Sequence, residues 1–82
     1  MLINDKLYNS NLDNIKNKIK EVLKTNNITL NKKFINGIAS FNVNDCKYTV
    51  ICQHEYEGNL IWINCIIKLN NKIINTFVLL IA

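Results

Sequence analysis

The chain has 82 residues, 49% hydrophobic and 20% charged, with net charge +4, two glycines and no proline. That length holds one domain, 1–82, with a modest core, and the apolar content is too high and the net charge too low for a disordered chain. No apolar run reaches the ~18–20 residues of a membrane span, and the polar opening through Ser10, which carries Asp5, does not read as a signal peptide.

Asn, Ile and Lys number 16, 14 and 10, nearly half the chain, and Arg is absent. All three are encoded by AT-rich codons, so a low-GC genome accounts for the bias. Lysine-only basicity then needs no phosphate ligand to explain it. The lack of guanidinium groups weighs against nucleic-acid readout, which leans on bidentate contacts to phosphate and guanine. Three cysteines are an odd set in a chain without a leader, which points to a reducing compartment, the cytoplasm, rather than to a disulfide framework.

Residues 1–10 read as a polar arm. A helix is expected over 11–25, where Leu12, Ile15, Ile19, Val22 and Leu23 recur at three- and four-residue steps. Ser10 is its expected N-cap, with Asp13 three residues on, and Asn26 and Asn27 suit a left-handed stop. Beyond the helix the period changes to two. Asn36-Gly37 is a strong hairpin signal; Asn44-Asp45, Glu57-Gly58 and Asn70-Asn71 mark further turns. Five strands follow, at about 28–35, 38–43, 46–55, 60–69 and 72–81. The expected architecture is α+β, with one N-terminal helix packed on a five-stranded antiparallel meander sheet.

These turns set a register. Leu30 should lie opposite Val43, Phe41 opposite Tyr48, Ala39 opposite Val50 and Cys52 opposite Ile63. One face then gathers Ile28, Leu30, Phe34, Ala39, Phe41, Val43, Cys46, Tyr48, Val50, Cys52, Ile61, Ile63, Cys65, Ile67 and Leu69, broken by Lys32 and His54. A one-residue slip would turn the whole set to water, and the helix stripe is the natural cover. The other face is polar over the first strands but not over the last two. There Leu60, Trp62 and Ile66 are expected beside Ile73, Phe77, Leu79 and Ile81, with Ile51 adjoining. So large an apolar patch calls for a cover, and Trp is the residue most enriched at binding hot spots. The candidate covers are the arm (Leu2, Ile3, Leu7, Tyr8), a second copy in a homodimer, or a partner protein.

Chemistry-bearing groups are sparse. Cys46, Cys52, His54 and Cys65 lack the C-x2-C knuckle of structural zinc sites. Cys46 and Cys52 sit about 20 Å apart along one strand, so no metal site is expected. Cys52 and His54 do not make a nucleophile and base at that spacing. No catalytic residue, cofactor or small-molecule substrate is expected. Lys16, Lys20 and Lys24 form a ladder on the helix, and residues 1–33 carry all the net positive charge. The expected function is a non-enzymatic protein-binding module, in concrete form an anti-CRISPR-like inhibitor of a host defence nuclease from a phage or mobile element, working in the bacterial host cytoplasm. The alternative is a nucleic-acid-binding protein or small repressor that uses the lysine face.

Overall fold

A computed structural model describes residues 4–30 and 33–81. Two helices, α1 (Asp5–Ser10) and α2 (Leu12–Leu23), precede five strands: β1 (Ile28–Leu30), β2 (Ile38–Val43), β3 (Cys46–Glu57), β4 (Leu60–Leu69) and β5 (Lys72–Leu80). The strands form one antiparallel sheet in the order β1-β2-β3-β4-β5. The fold is α+β with a meander sheet, and no described helix is long and apolar enough to cross a membrane.

The turns explain the register. Asn36-Gly37 and Asn70-Asn71 have positive φ at both positions (53° and 75°; 53° and 64°), the requirement of a type I′ hairpin, whose twist matches that of the strands. Ile35 bridges Ile38, and Phe41 faces Tyr48 and Ala39 faces Val50 as expected. Two pairings differ by two residues. Gly58-Asn59 makes the β3–β4 turn, so Glu57 pairs with Leu60 and Cys52 faces Cys65, not Ile63. Ile28, not Leu30, faces Val43. Because a slip of two keeps each side chain on its face, most of the inner set survives: Ile28, Phe34, Ala39, Phe41, Val50, Cys52, Ile63, Cys65 and Ile67 are buried, Val43, Tyr48, Ile61 and Leu69 are half-buried towards the strand ends, and Cys46, at the start of β3, is exposed. Ile15 and Ile19 of α2 complete that core, and α2 reaches both β5 and β1, the two edge strands.

The arm is where the sequence reading falls short. Asp5–Ser10 is helical, started by Asn4, whose side chain accepts from the Leu7 N–H at 3.1 Å. Ser10 caps nothing: its hydroxyl donates to the Leu7 carbonyl, and Asn11 stands between the helices. The left-handed stop of α2 is Lys24 (φ 54°) rather than Asn26 or Asn27. Three side chains on one side of α1 bind it to the 34–37 segment. The Asp5 carboxylate accepts from the Asn36 and Gly37 N–H groups, each at 2.8 Å. The Asn9 amide accepts from the Phe34 N–H (2.8 Å) and donates to its carbonyl (3.2 Å). Tyr8, fully buried, stacks edge-on against Phe34. Gly37 is irreplaceable here, since a Cβ would sit 2.8 Å from the Cys52 carbonyl oxygen. Leu7 and Tyr8 therefore pack into the core and do not cover the outer face; Leu2 and Ile3 of the arm, like Lys32, lie outside the described residues.

β5 holds the main correction. Lys68 pairs with Ile73 but Ile67 pairs with Asn75, so Ile74 is an extra residue, a β-bulge near the start of an edge strand. The parity of everything beyond it reverses. Phe77, Leu79 and Ile81, expected outside, face the core, Phe77 only 9% exposed. Val78 and Leu80 point out instead, opposite Asn64 and Trp62. The bulged register wins because it buries the larger side chains, turns the Thr76 hydroxyl to the outside, and brings the Asn75 amide to the Val22 carbonyl at the end of α2 (3.5 Å). In urea unfolding, Phe77→Ala is expected to cost about 3–5 kcal/mol, as a core truncation. Leu80→Ala should stay within about 0.5 kcal/mol. The reverse ranking would mean that β5 is not bulged.

Candidate functional site

Among the described residues the outer face of β3–β5 is a broad apolar surface that neither helix covers, since both pack on the inner side. Trp62 lies within it, on a row with Glu55 of β3 and Leu80 of β5. One row pairs Ile51 with Ile66, and Ile38 extends it across β2. Trp62, Ile51 and Ile66 are half-buried by their neighbours; Leu60, Ile73, Val78 and Leu80 are more than half exposed. Of the residues expected here, Trp62, Leu60, Ile66, Ile51 and Ile73 share the face. Phe77, Leu79 and Ile81 are the ones the bulge removes. Val78 and Leu80 replace them, and in a strand apolar on both faces no residue pattern marks the exchange. Asn64 lies within the patch, its amide donating to Glu55 at 3.1 Å.

The lysine ladder is shorter than its spacing implies. Lys16 and Lys20 lie half-buried on the flank of α2, whereas Lys24 has left the helix as its C-cap. Lys18 is 3.8 Å from Glu21, an ion pair on the exposed side that contributes little.

The cysteines and His54 separate into three environments. Cys46 is exposed at the start of β3. Cys52 and Cys65 face each other across β3 and β4 with their sulfurs 3.3 Å apart in the core. The hydrogen bond to Cys65 and then burial push the Cys52 thiol far above the ordinary thiol range, the opposite of what a nucleophile requires. His54 is engaged by Tyr8: the Tyr8 hydroxyl accepts from the His54 backbone N–H at 3.0 Å and shares a hydrogen bond with Nδ1 at 3.1 Å. Among the described residues no three His, Cys, Asp or Glu side chains converge on a common point.

The chain matches no protein-family model, no curated protein and no solved structure.

Two measurements check these environments. A disulfide thiol reagent should modify Cys46 at once in the folded protein. Cys52 and Cys65 should react only as fast as the sheet opens, and immediate reaction of all three would contradict the buried pair. Burial raises the Tyr8 phenol above its ordinary value of 10, so its contribution is whole below pH 10 and fades as pH climbs through the raised value. The stability gap between wild type and Tyr8→Phe, about 1–2 kcal/mol for the lost hydrogen bonds, should be flat at neutral pH and shrink in alkali.

Proposed function

We propose that the protein is a non-enzymatic binding module that presents the outer face of β3–β5 to another protein surface. The observation that carries this reading is Trp62, set among Leu60, Ile66, Ile51, Val78 and Leu80 on a sheet face that no helix of the chain covers. Apolar surface of this extent around a Trp fits an interface core, where large aromatic anchors supply most of the affinity. Burial drives such an association, and the surrounding Glu55, Glu57, Lys47 and Lys68 set its orientation. The narrower form, an inhibitor carried by a phage or mobile element that occludes a nuclease of bacterial defence, draws its support from the AT-biased composition and the small, motif-free chain.

The competing reading is phosphate binding through Lys16 and Lys20, with Lys24 adjoining, favoured by the location of the whole net charge in residues 1–33. One comparison separates the two. Val78 and Leu80 are 55% and 65% exposed, so Val78→Glu with Leu80→Glu should leave the melting temperature unchanged within a few degrees. That double variant should lose every protein association that wild type shows on affinity capture and in sedimentation. The Lys16/Lys20/Lys24→Glu variant should keep them. Association lost only in the lysine variant, and falling steeply with salt, would transfer the function to a nucleic acid.

A further inference from the structure

We propose that the partner fitted to this face is a second copy of the same chain, stacked sheet on sheet with its strands reversed. The proposal rests on the binding-module reading and adds the identity and orientation of the partner.

The charges of the outer face lie at its two ends. On β3 the outward positions run Lys47, Thr49, Ile51, Gln53, Glu55 and Glu57, and on β4 they run Leu60, Trp62, Asn64, Ile66 and Lys68. Lys68 pairs with Thr49, next to the Lys47 end, and Glu57 pairs with Leu60 at the opposite end. The outward positions of β2 and β5 are Ile38, Ser40, Asn42, Ile73, Thr76, Val78 and Leu80, none ionisable. Asp45, exposed in the β2–β3 turn, leaves the lysine end net positive. The face is thus a positive end and a negative end with the apolar rows between them.

Two copies can meet face to face about a two-fold axis in the plane between them, running either along the strands or across them. An axis along the strands sets lysines over lysines and glutamates over glutamates. An axis across the strands sets Lys47 and Lys68 of each copy over the Glu57 and Glu55 end of the other. The same axis keeps β4 and β5 over their own counterparts, so the two strands that carry Trp62, Ile66, Val78 and Leu80 lie over the same two strands of the partner, Leu80 above Ile73, and β2 and β3 lie over β2 and β3. An isologous contact demands a patch complementary to itself, a condition that binding to an unrelated protein does not impose, and this face meets it in charge. Aligned sheets stack about 10 Å apart with a rotation of about 30°, close enough for lysine side chains to span the gap. Four strands about 4.8 Å apart and some ten residues long cover roughly 600 Å² per copy, near the low end for a specific interface. The dimer should therefore dissociate on dilution.

Trp62 is the single tryptophan, so its emission reports the contact directly. In sedimentation equilibrium over a dilution series, wild type should pass from monomer to dimer, while Trp62 emission moves to shorter wavelength and acrylamide quenching falls. The Glu55→Lys/Glu57→Lys and Lys47→Glu/Lys68→Glu variants should each dimerise at least about tenfold more weakly. Mixed in equal amounts, the two variants should form a heterodimer. The chain with all four reversals should dimerise again. Circular dichroism and melting curves confirm that each variant is folded. A wild type that stays monomeric at every concentration overturns the second copy, and if it still binds another protein through Val78 and Leu80 the binding-module reading survives alone. A dimer indifferent to both charge-reversal pairs overturns the reversed stack. If that dimer is instead lost on Val78→Pro but kept on Val78→Glu, the copies pair through the β5 edge.

Discussion

One additional residue, Ile74, decides what this molecule shows to its surroundings. Without the bulge, β5 would send Val78 and Leu80 inward and leave Phe77, Leu79 and Ile81 exposed. With it, the core gains the Phe77 ring, the end of α2 gains the Asn75 amide, and the outer face receives side chains of intermediate size beside Trp62. The inner and outer surfaces are therefore not independent. Any change that flattens the bulge would exchange them along most of β5, since register in a sheet is a two-valued property.

A second constraint fixes the far side of the sheet. Among the described residues β1 pairs with β2 over Ile28–Leu30, and Ile35 bridges Ile38. At Phe34–Gly37, side chains of α1 take up backbone groups. Asn9 engages both backbone groups of Phe34, as a neighbouring strand would, and Asp5 holds the two N–H groups of the turn. α1 acts as a polar clamp with Tyr8 as its apolar centre. This division of labour lets one short helix complete both the hydrogen bonding and the packing of the same segment.

Much of the fold was legible in the sequence because the turns were. Asn36-Gly37, Asn44-Asp45 and Asn70-Asn71 joined runs of period two, and a misjudged β3–β4 turn moved the partner of Cys52 by two residues without moving its face. The α2 stripe was equally plain. Three features were not legible. The six residues of α1 are too few for a periodic signal to rise above chance, and their helix is stabilised by tertiary bonds from Asp5 and Asn9 to residues some 25 to 32 positions away. The bulge has no fixed sequence signature, and a strand apolar on both faces, as Ile73–Ile81 is, fits either parity. The site inherited that ambiguity: Trp62, Leu60 and Ile66 on β4 were placed correctly, whereas the β5 contribution was read from the wrong set of alternate residues. The Cys52–Cys65 contact was hidden by the same two-residue slip.

The positive φ angles at Asn36, Asn44, Asn70 and Asn71 carry a further consequence. Asn tolerates that conformation better than any other residue with a side chain, short of glycine itself. A genome drifting toward AT loses GC-rich glycine codons and accumulates asparagine, which would weaken long helices and the interiors of strands. A meander of tight hairpins puts four asparagines at its corners, where the residue serves well. Part of an asparagine-rich composition thus falls on this architecture with little harm.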